Sequence, residues 1–410
     1  MTLHDTMLDI GRNARIAADA LRSIPGEQRS VGIAAMARHL RASTPAILAA
    51  NAHDVAAATR LVDRLRLDES RVEGMAASLD IIAALPDVVG EQMARWSPPN
   101  GLDIARVRTP IGVIGMIYES RPNVTADAAA LCLRSANVVI LRPGSEALAS
   151  CVAIDAALQS GLAEAGLPPH IVQLVPTPDR EAVSMMLKGL DGAIDLIIPR
   201  GGAPLVERVT NESRVPTLGH LEGLCHTYVH ASADPDMAVA IVRNAKMRRT
   251  SVCGATETLL IDRAVAPTLL PRIAEALGDC ELRGDEVARA IVPMIAATEA
   301  DWSTEYLAPI HAVRTVAGLD EAIAHIRRYG TGHTEAIITE DEAAANAFLD
   351  RADAAILLWN ASTQFADGGE FGFGGEIGIA TGKFHARGPV GVEQLTSFKY
   401  RIHGAGQIRP

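Results

Sequence analysis

A cysteine at position 253 lies in a segment whose composition suits a reactive thiol. Lys246, Arg248 and Arg249 precede it, and their positive charge would favour thiolate over thiol. Gly254 follows directly, so the backbone can approach a ligand with little steric obstruction. The segment therefore indicates a nucleophile, although a free cysteine is more commonly a small buried hydrophobe.

The other cysteines and a nearby group of histidines indicate less. Cys132 and Cys151 interrupt helical runs and Cys280 lies in a charged stretch, as packing or surface cysteines do. Four metal-ligating side chains lie close together in the sequence: His220, Cys225, His226 and His230. Their spacing matches no tetrahedral zinc pattern, and a strand at this point would direct neighbouring side chains apart. We therefore predict no metal site.

Two further loops carry residues suited to catalysis or cofactor binding. Glu222 lies in a glycine-flanked loop, where its carboxylate either acts as a general base or is simply solvated. Arg200, Gly201 and Gly202 follow an apolar run and precede a predicted helix, so a phosphate or a nicotinamide could approach the backbone there. An ordinary turn is the alternative. Arg142, at the end of another predicted strand, has the same two interpretations.

Basic residues in two loops indicate an anionic substrate. Lys383, His385 and Arg387 form the densest basic cluster, and Arg121 lies in a second loop beside a predicted strand. Guanidinium and ammonium groups bind phosphate and carboxylate. Each residue alone is typical of a solvated surface charge. Together they are predicted to bind the substrate.

The composition limits the class of protein. The chain has 410 residues, 48% hydrophobic and 21% charged, with a net charge of −11, so we expect more than one domain. An acidic chain without a long Lys/Arg block is a poor candidate for binding nucleic acid or an anionic membrane, so the predicted partners are small molecules. Five cysteines without a CxxC pair, no signal sequence and no membrane-length apolar run predict a cytoplasmic protein.

The elements that must position these residues follow from hydrophobic periodicity. Residues 1 to about 95 have apolar residues at helical spacing, and residues 96–110 predict a turn and a strand in a projecting hairpin. From Gly112 onward, short apolar runs alternate with helices, and a second such series follows residue 216. This alternation predicts an α/β fold with mostly parallel sheets, which bind ligands beyond the carboxyl ends of their strands.

Five stretches of the chain are distinctive when taken in order. They are Tyr118-Glu-Ser-Arg-Pro-Asn-Val-Thr-Ala-Asp-Ala-Ala, Ile197-Ile-Pro-Arg-Gly-Gly, His220-Leu-Glu-Gly-Leu-Cys-His, Val252-Cys-Gly-Ala-Thr-Glu-Thr-Leu-Leu, and Glu376-Ile-Gly-Ile-Ala-Thr with Ala386-Arg-Gly-Pro. With these motifs the chain resembles, essentially end to end, the γ-glutamyl phosphate reductases, or glutamate-5-semialdehyde dehydrogenases, within the aldehyde dehydrogenase superfamily.

The resemblance implies an aldehyde dehydrogenase-like fold of two Rossmann-like parallel-sheet domains with an oligomerisation hairpin and a C-terminal arm. Residues 1–95 and 112–222 would form a helical N-terminal segment and the cofactor-binding domain, and residues 223–392 the catalytic domain. Residues 96–111 and 393–410 would be oligomerisation elements. A homo-oligomer, dimer or tetramer, is therefore expected.

The resemblance also assigns roles to individual residues. It makes Cys253 the thiolate nucleophile and places Asn123 at the position of the superfamily's oxyanion-stabilising asparagine. Arg142 falls where a lysine touches the cofactor ribose, and Glu305 corresponds to the glutamate that holds the nicotinamide ribose. Arg200-Gly-Gly takes the place of the cofactor-contacting turn.

The implied reaction is the NADPH-dependent reduction of L-glutamyl 5-phosphate to L-glutamate 5-semialdehyde through a thioacyl enzyme. It belongs to L-proline biosynthesis, and functional coupling to glutamate 5-kinase is implied. The chain departs from the family at Gly254, where asparagine is common, and at Pro143, where glycine is common. Glu222 falls near the superfamily's general base, but reducing an acyl phosphate requires no activated water.

Three alternatives stay open at this point. Within the superfamily, the chain could be an acylating dehydrogenase that uses coenzyme A, or an aldehyde-oxidising enzyme with Glu222 as base. Outside enzymes, it could be a non-catalytic binder that kept the fold. Dependence on phosphate separates the first two from the acyl phosphate reductase, and cofactor binding separates the third.

Overall fold

The computed structural model describes residues 2–58, 62–220 and 222–409. Its helices are α1 (Leu3–Leu21), α2 (Gly26–Ala42), α3 (Thr44–Ala57), α4 (Val62–Leu65), α5 (Glu69–Ala84), α6 (Asn123–Arg134), α7 (Leu148–Glu164), α8 (Arg180–Leu187), α9 (Ala203–Glu212), α10 (Pro235–Met247), α11 (Ala266–Leu277), α12 (Glu286–Ile291), α13 (Leu319–Tyr329) and α14 (Glu342–Arg351). Its strands are β1 (Gln92–Trp96), β2 (Asp103–Pro110), β3 (Val113–Tyr118), β4 (Val138–Pro143), β5 (Val172–Leu174), β6 (Leu196–Arg200), β7 (Cys225–Val229), β8 (Thr256–Asp262), β9 (Glu281–Gly284), β10 (Ile295–Ala296), β11 (Ile310–Val316), β12 (Thr334–Ile338), β13 (Ile356–Trp359), β14 (Ile379–Ala380), β15 (Gly388–Pro389) and β16 (Thr396–His403).

Helices α1 to α5 form the amino-terminal part of the chain. Thr2 and Asp5 cap the amino end of α1 with reciprocal hydrogen bonds. Asp68 caps the amino end of α5 by accepting a hydrogen bond from the N–H of Arg71. The helices end at Ala84, so the predicted helical segment is shorter than expected and its last residues form β1. Within the described ranges, no helix is both long and apolar enough to cross a membrane.

The first sheet is parallel, with strand order β5-β4-β3-β6. Its strands are almost entirely buried, because α1 and the crossover helices supply apolar residues to the same core. Helices α2 and α7 cross so closely at Gly161 that an added Cβ would lie 2.5 Å from the backbone nitrogen of Met36. From β3 the chain continues to β4 and β5 on one side of the sheet, and β6 then pairs with the other side of β3. The loops after β3 and β6 therefore lead away in opposite directions. Ligands bind at such a crevice.

The second sheet is also parallel, with strand order β10-β9-β11-β8-β7-β12-β13. Helices α10 to α14 connect its strands. Neighbouring strands β8, β7 and β12 begin at Thr256, Cys225 and Thr334, so the residues just before these strands lie close together. The predicted α/β fold with two series of parallel strands is confirmed.

A third, antiparallel sheet is formed by β1, β2 and β16. The predicted hairpin is β1 and β2, and the carboxyl-terminal β16 pairs with β2 from Thr396 opposite Pro110 to His403 opposite Asp103. Every residue of β16 after Thr396 is exposed. We call β1, β2 and β16 the arm sheet.

Candidate active site

A cavity of about 450 Å³ lies where the carboxyl end of β6 meets the loops that enter the second sheet. Cys253 lines this cavity together with Arg200, Glu222 and Glu305. A larger cavity of about 750 Å³ adjoins it, and the two share several side chains: Arg64, Arg121, Arg200, Arg249, Asp367 and Glu376. The two cavities therefore form one extended site, with the cysteine in the smaller part.

Close backbone packing positions Cys253. A Cβ at Gly223 would lie 2.5 Å from the Cβ of Cys253 and 2.3 Å from its carbonyl oxygen, so only glycine permits this approach. The thiol of Cys225, at the start of β7, donates to the same carbonyl at 3.1 Å. A Cβ at Gly254 would lie 3.1 Å from the carbonyl oxygen of Thr363, a tight contact that a larger residue would relieve by a small shift of that loop.

Two imidazoles control the ionisation of Cys253. Burial raises the pKa of this thiol, but the positive charges of His333 and His220 and their hydrogen bonding outweigh burial and hold the pKa well below its usual value. Burial conversely lowers the pKa of His220, and its interaction with Cys253 outweighs that and raises it. The site therefore favours a thiolate beside protonated imidazole.

The basic residues that first drew attention to Cys253 have other contacts. Lys246 is fully buried and forms an ion pair with Glu257, and Arg248 donates to the Gln364 amide oxygen at 3.3 Å. The prediction that the upstream basic residues favour the thiolate is therefore wrong for Lys246, since its charge is already paired. The largest effects that lower the pKa of Cys253 come from histidines on other segments, and of the upstream basic residues Arg248 and Arg249 line the same cavity.

His333 was missed by the sequence reasoning because it lies far along the chain from Cys253. It immediately precedes β12, which pairs with β7, so sheet order brings it to the cysteine. Of the residues weighed earlier as zinc ligands, His226 and His230 lie apart from the cysteine, whereas the Cys225 sulfur is 3.5 Å from Nδ1 of His333 and His220 lies beside Cys253. His226 contacts Glu335 at 2.9 Å, and His230 contacts Thr339 at 2.9 Å.

One side of the site is formed by Gly201, Gly202 and Glu305. Gly202 caps the amino end of α9, and its N–H donates to the Glu119 carboxylate at 3.0 Å. The Glu305 carboxylate accepts the N–H of Gly223 at 3.0 Å, and burial raises the pKa of Glu305. The turn and the carboxylate thus line the same cavity as the cysteine.

Arg142 lies at the end of β4 and outside the residues that line either cavity. Its guanidinium donates to the carbonyl oxygens of Pro143 and Pro178, at 2.5 and 2.9 Å. Burial lowers the pKa of Arg142, Glu146 opposes this, and the positive charges of Arg180 and Arg208 lower it further. Three guanidiniums are therefore gathered beyond β4.

A second group of guanidiniums faces Cys253. Burial lowers the pKa of Arg121 to about 10, and the positive charges of Arg200, Arg64 and Arg249 add to this effect. Arg64 also donates to the carbonyl of Ser251 in the cysteine loop, at 3.4 Å. Like charges held this close, against their own repulsion, form a site for an anion.

Carboxylates line the larger cavity beyond the arginines. Burial raises the pKa of Asp127 to about 6, although it accepts hydrogen bonds from Asn123 at 3.1 Å and Ser78 at 3.3 Å. Burial likewise raises the pKa of Glu376 to about 7, against the opposing charge of Arg200. Asn123, the first residue of α6, lies on this wall. Buried carboxylates of this kind favour a cationic group as partner.

The three remaining basic residues lie elsewhere. Lys383 and Arg387 both pair with Asp353, Arg387 at 2.8 Å, and His385 contacts the carbonyl oxygen of Gln394 at 3.1 Å. None of the three lines either cavity. We therefore do not include them in the proposed substrate site.

Comparison with known proteins agrees with this geometry. The model of the aldehyde dehydrogenase family matches residues 5–308 and 291–400. A protein from Hyphomonas neptunium named gamma-glutamyl phosphate reductase is 60% identical, over 100% of this chain and 97% of its own length. A relative of the same name from Caulobacter vibrioides is 62% identical, over 98% of this chain and 100% of its own length.

A solved structure is also closely similar. The crystal structure of gamma-glutamyl phosphate reductase from Thermotoga maritima has a TM-score of 0.95 and 43% identity, and it covers 98% of this chain and 100% of that chain. The aldehyde dehydrogenase-like fold expected from the sequence is thereby confirmed.

The reactivity of Cys253 is predicted to depend on His333. A positive charge within a few ångströms lowers a thiol pKa, so His333→Ala should move the pH midpoint of alkylation upward by about one to two units. Wild-type protein should then stay reactive at a lower pH than the variant, because it keeps its thiolate there. The measurement is the rate of iodoacetamide labelling of Cys253 against pH, read by peptide mass spectrometry.

His230→Ala is the matched control, since His230 lies at the far end of β7 and contacts Thr339. Its labelling profile should coincide with that of the wild type. A wild-type midpoint at the ordinary cysteine value of about 8.5 would contradict the interpretation.

Proposed function

The chain belongs to the γ-glutamyl phosphate reductase family within the aldehyde dehydrogenases, and from this premise we propose that it reduces L-glutamyl 5-phosphate to L-glutamate 5-semialdehyde with NADPH. It is an oxidoreductase that uses a nicotinamide cofactor. The proposed reaction is a step of L-proline biosynthesis. The coupling to glutamate 5-kinase and the cytoplasmic location remain predictions.

The observation that carries the proposal is the position of the Cys253 thiolate beside a cluster of arginines. A thiolate attacks an electrophilic acyl carbon, and guanidinium groups bind the phosphate that must leave. An aldehyde-oxidising enzyme has no phosphate to bind. The combination therefore favours an acyl phosphate as substrate.

The thiolate of Cys253 would attack the acyl carbon and form a tetrahedral oxyanion. The backbone N–H of Cys253 is one proposed donor to that oxygen, and Asn123, whose Nδ2 donates to Asp127 on the wall of the larger cavity, would have to turn toward Cys253 to be the second. Collapse of the adduct breaks the bond between the acyl carbon and the phosphate oxygen and leaves a thioacyl enzyme. The released phosphate ion would be bound by the guanidiniums around Arg121. In the last step Cys253 leaves as a thiolate, the form that His220 and His333 stabilise.

The residues present fit a nicotinamide cofactor. Gly201 and Gly202 line the cavity at the amino end of α9, where the Glu119 carboxylate accepts the N–H of Gly202 and would have to move aside for a cofactor phosphate. The Glu305 carboxylate, held by Gly223, would receive the ribose hydroxyls of the nicotinamide. Bound there, the cofactor supplies the hydride that reduces the thioester.

Preference for NADPH over NADH is supported by the guanidiniums beyond β4. Arg142 lies where the resemblance places contact with the cofactor ribose, and Arg180 and Arg208 are close enough to depress its pKa. An additional phosphate on that ribose would relieve the repulsion among these positive charges. NADH offers no such group.

The arrangement of charges also supports an α-amino acid substrate. The arginines that face Cys253 suit the acyl phosphate, and the carboxylate of Asp127 on the far wall suits an α-ammonium group. An incoming ammonium would compensate the burial that raises the pKa of Asp127. Glu222, which lines the cysteine cavity, has no part in this scheme because no water is activated.

The reaction is tested most directly in reverse. Purified protein should reduce NADP+ with L-glutamate 5-semialdehyde only when inorganic phosphate is present, because phosphate is the acyl acceptor. Cys253→Ala should lower this rate at least about 10³-fold, since the thioacyl route is lost. Cys280→Ala is the matched control, because Cys280 is buried in the core of the second sheet, and it should leave the rate near wild type.

Two outcomes would contradict the proposed reaction. NADP+ reduction that ignores phosphate and disappears in Glu222→Ala would indicate an aldehyde-oxidising enzyme. Near wild-type turnover of a folded Cys253→Ala variant would show that the nucleophile is another group.

Recognition of the α-ammonium is predicted to depend on Asp127. Wild-type protein should prefer L-glutamate 5-semialdehyde to 5-oxopentanoate, which lacks the amino group, and Asp127→Asn should reduce this preference about 10- to 100-fold in kcat/KM. Asp63→Asn is the control, since Asp63 lies exposed on the rim of the larger cavity. An unchanged preference in Asp127→Asn would assign the ammonium to another carboxylate.

We propose that copies of the chain associate through the arm sheet. Phe398, Tyr400 and Ile402 alternate along β16, so they lie on one face, and all three are exposed. Trp96 of β1 packs edge-on against Tyr400, with ring centroids 6.0 Å apart. An apolar face on a sheet with open edges favours covering by a second copy.

A change at this face should weaken association. Tyr400→Asp combined with Ile402→Asp places two charges on the apolar face, and the molar mass from light scattering should fall below that of the wild type. Lys399→Asp, on the opposite face of β16, should leave the mass unchanged. A wild-type protein that is monomeric at micromolar concentration would contradict the proposal.

A further inference from the structure

Cys253 lies between two imidazoles whose nitrogens can ligate a metal. One ligand atom from each of His220, Cys253 and His333 lies within 4.8 Å of the others. His333 is fully buried, and its Nε2 atom has no hydrogen-bond partner among the described groups. The cluster therefore combines a thiolate with the nitrogens of two imidazoles.

Hydrogen bonds behind the cluster orient both rings. The Nδ1 atom of His220 donates to the carbonyl oxygen of Ile379 at 2.6 Å. Since a carbonyl only accepts, this bond places the proton on Nδ1 and leaves Nε2 as the basic nitrogen of the neutral ring. The Nδ1 atom of His333 is 2.9 Å from the hydroxyl of Thr334. Histidines that ligate metals are held in this way through their outer nitrogen.

We propose that His220, Cys253 and His333 bind Zn²⁺, and that the bound ion blocks the nucleophile. Thiolate and imidazole are preferred ligands of zinc, and three protein ligands leave the fourth tetrahedral position to water or an anion. Bonds of about 2.3 Å to sulfur and 2.0–2.1 Å to nitrogen place tetrahedral ligand atoms roughly 3.5 Å apart. Ligand atoms of the cluster lie within 4.8 Å of one another, so binding would draw them closer by up to about 1.3 Å.

The surroundings select a soft cation. Charged groups of both signs line the cavity, namely the guanidiniums of Arg64, Arg121, Arg200, Arg248 and Arg249 and the carboxylates of Glu222, Glu305, Asp367 and Glu376. Magnesium and calcium prefer oxygen ligands, so sulfur and nitrogen donors favour zinc over both. Of the proposed ligands, only His220 belongs to the group of residues that the sequence spacing had brought up for zinc, because His333 reaches the site only through the sheet.

Zinc would inhibit the enzyme reversibly. A thiolate whose lone pair is bonded to the ion cannot attack an acyl carbon, and removal of the ion restores it unchanged. No bond of the protein is broken and no electron is transferred. Zinc binding would involve only the free protein and the metal ion, so it does not depend on the proposed reduction.

The test is a titration of reduced, metal-free, full-length protein with Zn²⁺ against a chromophoric zinc indicator. One ion per chain is expected, and Cys253→Ala and His333→Ala should each weaken binding at least about tenfold. His230→Ala should bind as the wild type does. Bound Zn²⁺ should also protect Cys253 from iodoacetamide, a chelator should restore labelling, and Mg²⁺ should have no effect.

Cobalt(II) in place of zinc adds a spectroscopic signature. A sulfur-to-metal charge-transfer band is expected in the wild type and should be absent from Cys253→Ala. If His333→Ala does not fold, His220→Asn tests the same cluster and should weaken binding to the same degree.

Absence of stoichiometric Zn²⁺ binding at about a hundredfold excess of ion over protein would overturn the inference. Equal binding by the wild type and Cys253→Ala would overturn it as well. Because binding and labelling require no substrate, these results can be read even if the protein does not reduce an acyl phosphate.

Discussion

Burying a thiolate is the constraint on which the site depends. A charged sulfur removed from water is unfavourable unless opposite charge compensates it, and burial alone would keep Cys253 as a thiol. His220 and His333 supply that compensation, and each is held in place by a hydrogen bond to its outer nitrogen. The Cys253 thiolate is thus stabilised at the wall of a cavity that many charged side chains line.

The fold satisfies this constraint by joining opposite ends of two parallel sheets. The carboxyl ends of β3 and β6 present loops that suit ligands, and the amino ends of β7, β8 and β12 bring the cysteine loop and His333 together. Gly223 lets the loop before β7 touch the cysteine backbone. Since Glu305 bonds to the N–H of Gly223, the same contact links the proposed cofactor side to the nucleophile.

Local patterns predicted much of this arrangement. Strands β3 to β6 follow from short buried apolar runs, and helices α10, α11 and α13 of the second sheet were also predicted, whereas α12 and α14 were not. Strand β11 was not predicted, because His311 and Arg314 interrupt its apolar pattern and only tertiary packing buries it. His333 could not be assigned either, since its place beside Cys253 depends on strand order, which no short segment contains. Arg121 and Arg249 were each noted from a single segment, whereas their proximity to each other and to Arg64 became evident only in three dimensions.

The features that make the thiol reactive also make it a ligand. Lowering the pKa of a buried cysteine requires basic groups close to the sulfur, and imidazole is a base that itself donates a lone pair to metals. Arginines in place of the histidines would retain the positive charge and have no lone pair for a metal. A guanidinium stays protonated, however, so it could not release and regain a proton as an imidazole does. Two imidazoles can release and regain protons as the thiolate forms and leaves during the proposed turnover. Sensitivity to soft metal ions would therefore follow from the way this nucleophile is activated.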